Sequence, residues 1–368
     1  MLSDLLLFAA GVALLVVGAE ALVRGASALA CSLRISPLVV GLTVVAFGTS
    51  SPELAVTVGA ALEGRADIAV GNVVGSNIAN VLLILGLSAL LAPLVVTMAV
   101  VRREVPVMIG ASALFAAVAL DGVLGRAEAA LLVVLLVAYT VFLIWQARAQ
   151  PESASAVRAP ARPASRPRQA AFVLAGLLFL AFGAHWLVEA ASAIARALGV
   201  SELVIGLTVV ALGTSLPEIA TSLAAALRGA RDIAVGNVLG SNVFNLLGCL
   251  GAAGLVAPGG LSLAPAVLHF DLWVMLAAAF ACLPVFATGH RVARWEGAVL
   301  LGYFVAYLAY LALDANGHDA LQPFSAVMMS FVVPLTIVTL LATVLHAQAA
   351  AKRDRPSSAS RRARPRLR

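Results

Sequence analysis

The chain has 368 residues, 62% of them hydrophobic and 11% charged, with a mean hydropathy of +1.03 and a formal net charge of +6. Soluble domains run near half apolar and a quarter charged. A water-soluble globule, a soluble enzyme and a disordered chain are therefore excluded, and an all-α polytopic membrane protein remains.

A membrane-spanning helix needs roughly 20 apolar residues. In chain order, runs bounded by charges, Pro and Gly clusters fall at 4–23, 37–62, 67–92, 104–121, 127–147, 169–195, 203–227, 232–257, 264–288, 295–313 and 323–349. The first run lacks a basic leader and merges into further runs, so it reads as a retained helix and not as a cleaved signal. Residues 148–168 are rich in Pro, Ala, Ser and Arg and read as a cytoplasmic linker. Residues 352–368 read as a basic cytoplasmic tail, an orientation signal that also suits anionic lipid headgroups. With the N-terminus outside and the C-terminus in the cytoplasm, 21 of the 24 Arg and Lys residues fall on the inner side, as the positive-inside rule requires. The expected location is the plasma membrane, which in a bacterium is the inner membrane. The positive charge sits largely in the linker and the tail, so the lipid bilayer is the expected partner and nucleic acid is not.

Several activities drop out for want of residues. Lys352 is the only lysine and lies in the tail, so no phosphate-binding GxxxxGK[ST] loop exists. HExxH and GxSxG are also absent. Cys31, Cys249 and Cys282 form no CxxC pair and read as small core residues. The expectation is a protein that is not an enzyme and needs no cofactor.

An internal repeat organises the chain. The segment GLTVVAFGTSSPELAVTVGAALEGRADIAVGNVVGSNIANVLLILG begins at Gly41, and GLTVVALGTSLPEIATSLAAALRGARDIAVGNVLGSNVFNLLGCLG begins 165 positions later at Gly206, with 30 identities in 46 columns and no gap. The domains read as a first five-helix repeat at 1–147 with its motif at 41–86, the linker, and a second five-helix repeat at 169–314 with its motif at 206–251. An additional helix at 315–351 and the tail follow. Five is odd, so the second repeat enters the membrane in the opposite sense to the first. The expected fold is thus two inverted-topology repeats forming a ten-helix core, a plan common among secondary transporters, plus one extra C-terminal helix.

The repeated segments carry the chemistry. In the second run, Ala46-Phe47-Gly48-Thr49-Ser50-Ser51-Pro52-Glu53 interrupts an apolar stretch, and Ala211-Leu212-Gly213-Thr214-Ser215-Leu216-Pro217-Glu218 does the same in the seventh. Proline removes a backbone donor and clashes with the preceding turn, freeing carbonyls to face a ligand. Ser50 and Glu53 also satisfy the capping-box pattern. A bare carboxylate near mid-bilayer costs roughly 2.5–3.5 kcal/mol on insertion scales, so two at equivalent depths imply a shared polar cavity. In the next run of each copy, Ser76 and Asn80, and likewise Ser241 and Asn245, share a helix face by i,i+4 spacing and would complete a ring of oxygens. The glycines at 71, 75, 236 and 240 read as close-packing positions. Glu20 and His185, and Arg24 and Glu189, are matched positions expected near helix ends. An all-oxygen site without His or Cys disfavours zinc and copper. Calcium takes 6–8 oxygens and is matched in charge by two carboxylates, and sodium is also hard enough for these ligands.

The GTSxPE and GNxxGSN pairs resemble the two α-repeats of the cation/calcium exchanger superfamily, closest to its bacterial and archaeal sodium/calcium exchanger branch. The resemblance covers about residues 1–314 and implies exchange of sodium for calcium at one central cluster. It implies that Glu53 and Glu218 bind calcium and also sodium, and that Thr49 and Thr214 offer main-chain carbonyls to calcium. Ser50, Ser215, Ser76, Ser241 and the carbonyls of Ala46 and Ala211 would serve sodium, and Asn80 and Asn245 would line the centre. The family often has Asp where Asn245 stands, and the eleventh run is additional to its core. From the residues themselves, an antiporter driven by protons and a cation channel filtered by the two glutamates stay open beside sodium/calcium antiport. The hydroxyl-rich GTS and GSN segments favour sodium because they supply oxygens beyond the carboxylates.

Overall fold

The computed structural model describes residues 2–149, 165–198 and 211–353. Most of the linker, the 203–210 part of the seventh run and the tail beyond Arg353 lie outside the described residues. The chain is almost wholly helical, because a backbone in hydrocarbon must satisfy its polar groups within each segment.

The helices, in chain order, begin with α1 (Leu2–Leu33), which continues ten residues past the C-terminal end of its apolar run; Arg24 pairs with Glu20 one turn earlier and helps keep the charged end helical. A broken pair follows, α2 (Pro37–Thr49) and α3 (Ser51–Leu62), bent by 46°. The Ser36 hydroxyl accepts the Leu38 N–H at 3.1 Å and Pro37 occupies the first turn, so α2 starts sharply. Then come α4 (Ala66–Leu91), α5 (Val105–Val118, entered through a wide π-turn at Val100–Glu104), α6 (Arg126–Ala149) and α7 (Arg166–Ala197). The described part of the seventh run is a helical turn at Ala211–Gly213 and α8 (Leu216–Leu227). Last come α9 (Arg231–Val256), α10 (Val267–Ala287), α11 (Arg294–Ala315) and α12 (Leu321–Thr343). Among the described residues, eight helices are long and apolar enough to cross a membrane, or nine with the bent pair as one span. This is fewer than the eleven apolar runs. The 104–121 run is a 14-residue helix behind a charged π-turn, and only the last part of the 203–227 run is described.

Burial orders the helices. Buried residues make up 94% of the apolar window of α9 and 78% of that of α4, against 17% in α6, 11% in α11 and none in α12. α4 and α9 form the centre and the others wrap them. α1 and α7 pack antiparallel along their whole length. Glycines spaced by seven make this possible: a Cβ at Gly18 would lie 2.8 Å from Leu180 N and 2.9 Å from Gly176 O, and one at Gly183 would lie 2.8 Å from Leu15 N. Gly236 and Gly240 are equally tight against α2, where a Cβ would come within 2.8 Å of Leu38 O and 2.7 Å of Leu42 O respectively.

Two short ribbons join the helix connections. β1 (Leu94–Val95) pairs antiparallel with β4 (Arg291–Val292), and β2 (Val123–Leu124) pairs antiparallel with β3 (Leu261–Ser262). The α4–α5 connection therefore lies beside the α10–α11 connection, and the α5–α6 connection beside the α9–α10 connection.

Candidate ion-binding site

The site forms where the two broken helices meet the two central ones. Ser50 (φ −83°, ψ 8°) and Ser215 (φ −85°, ψ 2°) leave helical geometry at the same repeat position. Pro52 and Pro217 follow, so neither has an N–H to return to the carbonyl of Gly48 or Gly213. The break turns α3 and α8 inward, and each carries its glutamate in the first turn. On the facing helices, π-turns begin at Asn80 (Asn80–Leu85) and at Asn245 (Asn245–Cys249). Such bulges commonly mark functional positions because they re-aim side chains and loosen the backbone ladder.

The two half-sites interlock. Ser50 Oγ donates to Glu218 Oε1 at 2.8 Å, and Ser215 Oγ donates to Glu53 Oε1 at 3.1 Å. Each carboxylate is thus held by the serine three residues ahead of the other one, and the two share one chamber. Glu53 is 0% exposed and Glu218 1%. Among the described residues, no Arg, Lys or His makes an ion pair with either. Glu53 Oε2, Glu218 Oε2, Asn80 Oδ1 and Ser241 Oγ are all buried without a partner. Buried polar atoms are nearly always satisfied, so these four oxygens, two of them from carboxylates, stand out in the hydrogen-bond network. The side chains that meet here present oxygens from Glu, Ser, Thr and Asn, a donor set that suits hard cations better than zinc.

The remaining expected residues fall around this core. The hydroxyls of Ser76 and Ser215 are 3.3 Å apart. The Ala46 carbonyl already accepts the Ser50 N–H at 3.0 Å and the Thr49 hydroxyl at 3.4 Å. Ala211 begins the helical turn ahead of Gly213. Asn245 donates to Asn77 Oδ1 at 3.3 Å, while its own Oδ1 faces Cys249 Sγ at 3.7 Å. The capping-box pattern is not realised. Ser50 and Ser215 stand at the N-cap positions of α3 and α8, yet neither side chain caps, because each hydroxyl crosses to the opposite glutamate.

Other residues of the site escaped the sequence reading. Asn72 donates to Thr57 Oγ1 at 3.0 Å and to the Glu53 carbonyl at 3.3 Å, and accepts from Thr214 Oγ1 at 3.4 Å. Its counterpart Asn237 donates to Ser222 Oγ at 2.9 Å and accepts from Thr49 Oγ1 at 3.0 Å. Asn80 donates to Asn242 Oδ1 at 3.2 Å, mirroring Asn245 and Asn77. Apart from the Asn72 bond to the Glu53 carbonyl, each of these bonds has a mate 165 residues away, and most cross between repeats. The available signal was the identity of these asparagines in both copies, and the placing of Thr57 and Ser222 one turn beyond the glutamates. A cavity of about 650 Å³ lies between α7 and the two breaks, bounded by Thr49, Pro52, His185, Thr214 and Pro217. Through the two threonines it adjoins the chamber.

The family profile described as "Sodium/calcium exchanger protein" matches residues 3–145 and 168–313. The chain belongs to the sodium/calcium exchanger family. It is 35% identical to the sodium/calcium exchanger MaX1 of Methanosarcina acetivorans over 346 residues, covering 84% of this chain and 98% of that one. It is 37% identical to the inner membrane protein YrbG of Escherichia coli K12 over 307 residues, covering 82% and 94%. A solved structure of the sodium-calcium exchanger NCX_Mj superposes with a TM-score of 0.73 at 29% identity, covering 84% of this chain and 98% of that one. The chain is therefore a membrane-embedded antiporter of the sodium/calcium exchanger type, a transporter and not an enzyme.

Proposed function

We propose that this exchanger moves calcium against sodium across the plasma membrane, carrying both as substrates in turn at the Glu53–Glu218 chamber. The observation that carries the reading is the crossed serine–glutamate pair, whose carboxylates each keep one buried oxygen without a hydrogen bond and have no cationic partner among the described residues. Two buried carboxylates without a counter-ion are strongly penalised, and a bound cation removes the penalty. Only loaded states then cross readily, which makes exchange obligatory. Glu53, Glu218, Asn80 and Ser241 together with the main-chain carbonyls of Thr49 and Thr214 supply six oxygens, the lower limit for calcium. Sodium, with half the charge, is assigned to the serine hydroxyls Ser50, Ser215, Ser76 and Ser241 and the carbonyls of Ala46 and Ala211. At Ala46 the Thr49 hydroxyl must turn away to open that carbonyl. Asn80 and Asn245 line the centre.

The fold assigned to this function is two inverted five-helix repeats forming a ten-helix core, with α12 as an added span. The ribbon pairing supports it. The connections after α4 and after α9 are repeat counterparts, yet each pairs with a connection one span away from its own counterpart, as it must if counterparts lie on opposite membrane faces. The N-terminus is assigned to the outside, and the C-terminus with its basic tail to the cytoplasmic face, beside anionic lipid. The cavity along α7 is assigned as the access path that opens and closes as α1 and α7 shift together against the site.

The test is uptake of radiolabelled calcium into proteoliposomes preloaded with sodium, with potassium or with acid. Sodium loading should drive uptake and the other two should not. Glu53→Gln and Glu218→Gln should each lower calcium affinity by roughly a hundredfold, about 3 kcal/mol. Uptake driven by acid alone assigns protons as the coupling ion, and uptake with no counter-cation assigns a channel.

A further inference from the structure

The eleventh span has no counterpart in either repeat, and its place in the fold defines a second cavity. α12 touches the rest of the protein along one seam. Tyr303 Oη of α11 donates to Thr336 Oγ1 at 2.7 Å, and Thr336 in turn donates to the Val332 carbonyl at 2.9 Å. α12 packs beside both α10 and α11. The space between the three helices is a cavity of about 410 Å³, lined almost entirely by apolar side chains such as Ala278, Ala281, Val285, Leu300, Ile337 and Leu340. The distance from Tyr303 to Trp295 along α11 is eight residues, about 12 Å at 1.5 Å per residue, so the cavity is long and narrow.

One charged group lines it. Glu296 belongs to the first turn of α11 and is 2% exposed. Its Oε2 accepts the Ala293 N–H at 2.7 Å, which caps the helix, but its Oε1 is buried without a partner. The repeat counterpart Glu128 caps α6 in the same way, through the Gly125 N–H at 2.6 Å, and is only half-buried. An apolar slot lined by one unsatisfied carboxylate oxygen asks for an amphipathic guest with a cationic donor at its head. The exposed guanidinium of Arg291 lies within electrostatic range of Glu296, so positive charge also stands at that end, where a guest's anionic group would sit beside its amine. An ammonium and a phosphate joined by two carbons, on an acyl tail, meets all three requirements. A free amine meets only the first, and leaves the apolar walls bare.

We propose that the cavity between α10, α11 and α12 binds an amine-headed phospholipid, phosphatidylethanolamine, with its ammonium on Glu296 Oε1, its phosphate toward Arg291 and an acyl chain in the slot. α12 is then the wall that turns a lipid-facing groove into a lipid site.

The test uses the full chain reconstituted in vesicles of equimolar phosphatidylethanolamine and phosphatidylcholine with identical acyl chains. After extraction, the co-purifying lipid is counted by mass spectrometry. The retained pool should be enriched in phosphatidylethanolamine roughly tenfold, the factor set by one charge-assisted hydrogen bond of about 1.4 kcal/mol. Glu296→Gln keeps the cap through its amide oxygen and removes the charge, so the enrichment should vanish while the amount of bound lipid stays. Ala281→Phe fills the slot and should reduce the retained lipid of both kinds. A wild-type pool that mirrors the vesicle, or an enrichment that survives Glu296→Gln, overturns the proposal.

Discussion

Ser50 and Ser51 are adjacent hydroxyls with opposite fates. Ser51 Oγ bonds back to the Phe47 carbonyl at 3.0 Å on the exposed side of the break, while Ser50 Oγ crosses to Glu218. From the chain alone, both fit helix-start chemistry, since a serine ahead of Pro and Glu is the pattern of a local cap. In the fold, the Ser50 hydroxyl is turned toward Glu218, where donating to a carboxylate in low dielectric is a strong bond, and in that orientation its oxygen makes no cap to the backbone N–H groups of α3. Ser50→Ala leaves Glu218 Oε1 without its donor and should weaken calcium binding about tenfold, the worth of one hydrogen bond to a charged group. Ser51→Ala should leave binding unchanged. Isothermal titration of the purified protein with calcium checks both, and equal effects of the two substitutions would refute the crossed arrangement. The asparagines teach the same lesson. Asn72 joins three groups through one amide and Asn237 joins two. Nothing in their spacing identifies those partners, because most belong to other helices.

The helices themselves were legible as apolar runs. Most run ends agree with the helix ends to within a few residues, since hydrocarbon admits few alternatives to a helix. The exceptions have physical causes. α1 outlasts its apolar run because Glu20 pairs with Arg24 and with Arg228 across the fold. The π-turns at Asn80 and Asn245 were invisible, because a single extra residue in a turn leaves no trace in hydropathy. The α1–α7 contact is the element most dependent on absent side chains. Gly18→Ala places a Cβ within 2.9 Å of two backbone atoms, and overpacking of this kind costs about 1–3 kcal/mol. Thermal unfolding in detergent should show a lowered midpoint for Gly18→Ala. Gly59→Ala meets nothing within 4 Å, and should hold or raise it, since Ala favours a helix over Gly. A Gly18→Ala midpoint matching the wild type would show that the two helices separate without cost.

At the scale of the whole molecule, the proposed inverted repeat makes a geometric demand. The turn at Gly64 (φ 73°) and the turn at Gly229 (φ 75°) are repeat counterparts, and both need glycine for their left-handed backbone. Under inverted topology they lie on opposite membrane faces. In a background with Cys31, Cys249 and Cys282 changed to Ser, Glu63→Cys should react with an impermeant maleimide added outside intact cells. Arg228→Cys should react only after the membrane is opened. Labelling of both from one side would sink the inverted assignment, whatever the transported ions prove to be.

The sequence by itself determined the class, the repeat and the identity of the charged pair, for one reason. Each is a property of single segments: hydropathy fixes whether a run enters lipid, identity at a constant offset marks duplication, and a carboxylate inside an apolar run is conspicuous wherever the run ends up. Tertiary structure decided everything that depends on which segments meet. It chose Ser50 for Glu218 and Ser215 for Glu53, buried one oxygen of each carboxylate without a hydrogen bond, and seated α12 beside α10 and α11 around a slot that Glu296 lines. Those outcomes rest on approach distances between helices far apart in the chain, and such distances are settled only when glycines, breaks and π-turns are packed together.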